Sequence, residues 1–160
     1  MTKIRGSAMV VILAMERILP EDDMIRAVNV AFYRAFERGD WEAMRELWAV
    51  SVPVSCVHPG WQPAVGREAV LASWGAIFEG AMGIRFTLRN VQVFVAGEAA
   101  WVLQQEELES VQEGGERVKV VLLATNLFVR ESGAWKMAHH HASPALGAAL
   151  PPSDPRRLFH

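Results

Sequence analysis

His58 is the residue on which chemistry would most readily turn. It ends the run Cys56-Val57-His58 and stands directly before the turn Pro59-Gly60 in the stretch CVHPGW. An imidazole has an ordinary pKa of about 6.5, so its neutral form can take a proton without the tuning a carboxylate requires. The same side chain is also a metal ligand, or the polar end of a strand that merely satisfies backbone groups. A second cluster, His139-His140-His141, closes the last apolar segment. In a strand, alternation sends His139 and His141 to one face and His140 to the other. Two of these imidazoles with His58 could hold zinc and leave one position open. No carboxylate is evident in the sequence to orient them, so no metal is assigned.

Other polar and aromatic residues carry weaker signals. In the run Glu106-Glu107-Leu108-Glu109 one glutamate faces each side of a strand, and the reading adopted is a solvated strand end beside the Glu113-Gly114-Gly115-Glu116 turn. The chain has six tryptophans. Such rings usually fill cores; Trp61, in the turn after His58, is the best placed to border a pocket mouth.

These residues need elements to hold them. From Glu21 to Arg38 apolar residues recur at helical spacing, acids crowd the first turn, and Gly39 stops the run. Asp40 is the expected N-cap of a short helix from Trp41 to Trp48, and Val52 to Val57 reads as a strand. Arg67 to Glu79 has Val70, Trp74, Ile77 and Phe78 on one face and predicts a third helix. β-Branched and aromatic residues then alternate through Ile84 to Ala96, Ala99 to Ser110, Val118 to Arg130 and Ala134 to Ala142, with glycine turns between. Helices first and an antiparallel meander afterwards predict an α+β fold, with helices covering one face of a curved sheet.

Composition narrows the function classes. A chain of 160 residues, 51% hydrophobic and with a formal charge of −2, suits one compact core. It shows no basic cluster interleaved with aromatics, so nucleic acid is not expected as a partner. The apolar run Ala8 to Met15 follows Lys3 and Arg5 but is too short to span a membrane, and Glu16-Arg17 stand where a leader's cleavage site would need small residues. With Cys56 as the single cysteine, a cytoplasmic location is expected. Residues 1–20 are read as an arm or an extended start, 21–143 as the domain and 144–160 as an irregular tail.

The segments ERGDWEAMRELWA, VHPGW, AVGREAVLASW and GAWKMAHHHAS, in this order, resemble the SnoaL-like and ketosteroid-isomerase-like branch of the nuclear transport factor 2 superfamily. The resemblance implies a cystatin-like conical barrel, three helices against a strongly bent antiparallel sheet, open at one end into an apolar pocket. It also implies a homodimer formed through the sheet. Ketosteroid isomerases place their base directly before a proline at the strand end that precedes the third helix, and His58 holds that position. Their oxyanion donors match Phe32, which has no hydroxyl and lies one residue before Tyr33, and Asn126, whose amide can donate. The matched last strand makes His140 the inward histidine, whereas the parity of Trp135 and Met137 favours His139 and His141. Segments that wall the family's cavity carry Trp48, Trp61, Trp74 and Trp101.

The expectation is a small hydrophobic molecule held near His58 and, if catalysis occurs, proton transfer without a cofactor, of isomerase or cyclase type. His58 would be the base and Asn126 the polarising donor, with Trp61, Trp74, Phe32, His140 and Trp101 around the ligand. The alternative expectation is a module that binds or associates without catalysis.

Overall fold

A computed structural model describes residues 20–80, 83–111 and 114–145. Three helices come first: α1 (Glu21–Arg38), α2 (Trp41–Leu47) and, after two short strands, α3 (Arg67–Gly80). The strands are β1 (Ser55–Val57), β2 (Ala64–Val65), β3 (Arg85–Ala96), β4 (Ala99–Val111), β5 (Arg117–Glu131) and β6 (Ala134–Pro144). The proposed arm and nearly all of the proposed tail lie outside the described residues, although β6 carries the domain's last strand to Pro144.

Local chemistry explains the helix ends. Glu21, Asp22 and Asp23 offset the positive end of the α1 dipole. Gly39 adopts φ 59° and ends α1 in a left-handed cap: its N–H donates to Phe36 O at 3.0 Å and Asp40 N–H donates to Ala35 O at 2.9 Å. Asp40 then caps α2 by accepting from Ala43 N–H at 3.0 Å. These two bends turn Ile25, Asn29, Phe32, Tyr33 and Phe36 of α1 onto the sheet, where all are buried.

The sheet order is β2-β1-β6-β5-β4-β3. β3 to β6 form the expected antiparallel meander. Against the expectation of a wholly antiparallel barrel, β1 runs parallel to β6, and β2 and β3 are the edge strands among the described residues, so the sheet is mixed and open. The parallel alignment starts upstream of β1, where Ala49 N–H donates to Met137 O at 2.9 Å and Trp48 bridges Met137. Trp48 thereby leaves the helix it was expected to end. The sheet bends at two register shifts, one between Arg89 and Gln92 and one between Leu127 and Phe128.

The second shift sets the phase of the histidines. Leu127 pairs with His139 and Phe128 with Met137, so Ala138 is the extra residue in β6. Trp135 and Met137 point inward before the bulge, and His140 and Ala142 point inward after it. A period-two strand with one inserted residue changes parity, so His140 is the inward histidine, and the parity of Trp135 and Met137, which favoured His139 and His141, ends at Ala138.

Candidate functional site

The inward faces of β4, β5 and β6 meet α1, α3 and the end of β1 around a group of buried polar side chains. Asn29, His58, Gln104, Glu106, Asn126 and His140 are each at most 5% exposed, and Tyr33 is 4% exposed. Such burial is costly unless every polar atom has a partner, and here nearly every partner is visible.

Tyr33 is the hub. Its Oη donates to Glu106 Oε1 at 2.5 Å, and it lies within hydrogen-bond reach of Gln104 Nε2 and of Asn126 Nδ2, the latter at 3.1 Å. Asn126 Nδ2 also reaches Asn29 Oδ1 at 2.8 Å, and Asn29 Nδ2 reaches Gln104 Oε1 at 2.9 Å. Proton counting sets the direction. A hydroxyl has one proton, and turning the amides round would ask it to serve a carboxylate and two carbonyl oxygens at once. Gln104 and Asn126 therefore donate to Tyr33, and Tyr33 donates to Glu106. Asn126 Oδ1 is left to accept from His140 Nδ1 at 2.6 Å, which puts the lone pair of His140 on Nε2.

His58 is oriented separately. Ser73 Oγ donates to Val70 O at 2.7 Å, so it accepts from His58 Nε2 at 2.9 Å, and Nδ1 of His58 keeps the lone pair. The ring packs edge-on against Trp74 at 4.6 Å and against Trp61 at 5.2 Å. Cys56 Sγ lies 3.5 Å from Nε2 and 3.8 Å from Nδ1.

Burial shifts these groups in opposite senses. It presses His58 down to about 3 and His140 well below the ordinary imidazole range, so both rings are neutral. It pushes Glu106 up to about 7, although the bond from Tyr33 pulls the other way. The phenol of Tyr33 is raised by burial and by Glu106 beside it, and burial also raises the Cys56 thiol, which is thus an inert core residue.

His58, His140, Glu106 and Tyr33 line one small cavity of about 10 Å³, bordered also by Phe36, Pro59, Phe86, Leu108, Leu122 and Ala142. That space suits about one water. A groove of 460 Å³ lies elsewhere, on the outer face of the sheet among Gln92, Leu103, Leu123, Thr125 and His141. It holds none of the buried acids or inward histidines.

Of the residues picked from the sequence, the structure brings His58 and His140 to the cavity. Asn126 stands behind it with both amide protons spent on Asn29 and Tyr33, so it organises the network and has no proton left for a ligand. Phe32 is fully buried and packs on Tyr33, Trp74 and His140, while the hydroxyl of α1 comes from Tyr33. Trp74 is fully buried behind His58, and the half-buried Trp61 flanks the same ring. Trp101 is a correction: odd-numbered residues of β4 face outward, and it stacks on Phe94 at 5.3 Å on the far side of the sheet. Glu106 is the residue that sequence reasoning missed. It shares parity with Val102 and Leu108, and that shared parity was the available signal. Trp101 and Leu103 make the opposite face look equally apolar and hide it.

The profile of the SnoaL-like domain family matches residues 25–147. A crystal structure from Streptomyces avermitilis, named as a candidate dehydratase of the nuclear transport factor 2-like family, is 39% identical. The match covers 79% of this chain and 97% of that one, with a TM-score of 0.75. A structure from Thiobacillus denitrificans, named as a candidate calcium/calmodulin-dependent protein kinase type II association domain, is 33% identical over 75% of this chain and 94% of that one, TM-score 0.66. The F-box protein SKIP8 of Arabidopsis thaliana is 31% identical over 122 residues, 76% of this chain and 50% of that protein. The chain thus spans about half the length of that curated relative.

Proposed function

This chain belongs to the SnoaL-like domain family, and from that premise we propose that its interior binds a small, oxygen-bearing hydrophobic molecule and moves a proton on it without a cofactor. One observation carries the reading: two imidazoles, a carboxyl and a phenol converge on a single cavity inside an apolar shell. A core that served stability alone would gain from apolar side chains of the same size at these positions. His58 is the base, since its neutral Nδ1 keeps a lone pair while Ser73 holds the opposite nitrogen. Asn126 acts through Tyr33 and His140 as a positioning residue. The cavity measures about 10 Å³, so a ligand larger than a water needs the lining side chains to move apart. The kinship with a protein named as a candidate dehydratase accords with proton chemistry of this type.

The test uses cyclohexanone as a minimal apolar carbonyl probe in deuterated buffer near pH 6, with loss of its α-proton signals followed by proton NMR. Exchange faster than in protein-free buffer, and lost in His58→Ala, is expected. Exchange at the buffer rate would overturn the catalytic reading.

A second reading rests on the outer face. Leu103, Leu123 and Leu127 are 38%, 51% and 38% exposed there, beside the Phe94–Trp101 stack and the 460 Å³ groove. An apolar sheet face of this kind suits a homodimer, and one similar structure is named as an association domain.

A further inference from the structure

The hydrogen-bond circuit has a direction, and the direction has an end. Asn126 donates to Asn29 and Tyr33, Asn29 donates to Gln104, Gln104 donates to Tyr33, and Tyr33 donates to Glu106. Both lone pairs of Tyr33 are filled by amide protons, so Tyr33 cannot accept from Glu106. A proton on Glu106 must therefore sit on Oε2, the oxygen that Tyr33 does not hold. Glu106 lines the cavity, and the cavity's other ionisable groups, His58 and His140, line it too. We infer that Glu106 is a catalytic acid of this site, which carries its proton on Oε2 and gives it to the oxygen of a ligand while His58 takes a proton from the neighbouring carbon.

This rests on the reading of the cavity as a proton-transfer site and adds a residue to it. Asn126, the residue matched to a donor position from the sequence, has no free proton, and Glu106 on the neighbouring strand supplies one. The step balances for a carbonyl ligand. The Oε2–H bond breaks as an O–H bond forms on the carbonyl oxygen, and the α C–H bond breaks as its proton passes to His58 Nδ1. The C–H electron pair becomes the new C=C bond, and the carbonyl π pair becomes the bond to hydrogen. The ligand leaves as a neutral enol, with a Glu106 carboxylate accepting from Tyr33 and a His58 imidazolium; reversal resets both.

The environment supports the pairing. The titratable groups facing Glu106 are Tyr33 from α1, Cys56 and His58 from β1 and its end, and His140 from β6, and at neutral pH none of them is a cation. With Glu106 raised to about 7 and His58 lowered to about 3, acid and base stand together in their working forms between those two values.

The experiment combines α-proton exchange of cyclohexanone with infrared spectra of the carboxylic-acid carbonyl stretch, in the wild type and in Glu106→Gln. Gln keeps an acceptor for Tyr33 and loses the transferable proton. Expected are a band that titrates near pH 7, shifts on adding cyclohexanone and is missing in the variant, together with an exchange rate lower by about 100-fold or more. Wild-type exchange left unchanged by Glu106→Gln would overturn the role of Glu106 and leave the proton-transfer site standing. A titrating band that shifts with cyclohexanone in a protein that does not exchange would do the reverse, retaining Glu106 as donor to the ligand and removing catalysis. A wild type without such a band near pH 6, or with a band indifferent to cyclohexanone, would overturn the inference. Should Glu106→Gln fail to fold, the wild-type band still decides, because Glu106 is the only buried acid among the described residues.

Discussion

Replacing Glu106 by Gln should change how stability depends on pH, and the size of the change follows from its burial. The carboxyl goes from an ordinary 4.5 to about 7 in the fold. A raised pKa means the fold prefers the protonated form. That contribution is fully present below pH 4.5 and is lost as pH rises through 7. The gap corresponds to about 3 kcal/mol, at about 1.4 kcal/mol for each tenfold factor in proton affinity. His58 and His140 are displaced the other way and lose their contribution as pH falls below 6.5, but they do so in both proteins and drop out of the difference. Urea unfolding at a series of pH values from about 5 to 8 measures it. The stability of Glu106→Gln relative to wild type should rise by about 2–3 kcal/mol across that range, mostly between pH 5 and 7. Two stability curves that stay parallel would refute the reasoning, because a carboxyl with an ordinary pKa is the only one that Gln could replace without altering the slope.

Tyr33→Phe leaves Gln104 and Asn126 each with an unplaced proton and Glu106 without its donor; a loss of about 3 kcal/mol in urea unfolding is expected, and the infrared titration of Glu106 should move above 7, since the lost bond held it down. Asn126→Ala strands His140 Nδ1 and Asn29 Oδ1 together, for a loss of similar size, and thermal unfolding should show it without any change in the tryptophan exposure of the folded protein. Leu123→Glu tests the outer face: sedimentation should show a homodimer in the wild type and a monomer in the variant, with α-proton exchange of cyclohexanone retained in both.

How much of this was readable beforehand depends on the distance over which each feature is determined. The helices α1 and α3 follow from spacing within a single segment, and the structure places them at 21–38 and 67–80. The meander followed from glycine turns between alternating runs. The parallel pairing of β1 with β6 joins segments more than 80 residues apart, Ser55 with His139, and no local pattern encodes it. The same limit governs the site. His58 was visible because Pro59 and Gly60 mark a strand end, and Tyr33 was seen but passed over for Phe32, one residue away. α1 buries both rings, and alignment by residue count cannot tell which of two adjacent aromatics reaches the polar hub. Glu106 was assigned to solvent because it opens an acidic run beside a glycine turn, and β4 is apolar on both faces, with Val102 and Leu108 on one and Trp101 and Leu103 on the other, so its inward phase did not stand out. Alternation gives a period but not a phase in such a strand.

The bulge at Ala138 has a consequence for how this chain tolerates change. Gaining or losing one residue near the bulge would rotate the rest of β6 by half a turn and exchange its inner and outer faces. In most strands such a slip would replace a buried polar anchor with something of different chemistry. Here the residue on either side of His140 is another histidine, so either slip still presents an imidazole toward Asn126. The triplet therefore keeps an imidazole at this position through a one-residue slip in either direction, while the cost of the slip falls two residues on, where His141 or Ser143 would take the buried place of Ala142.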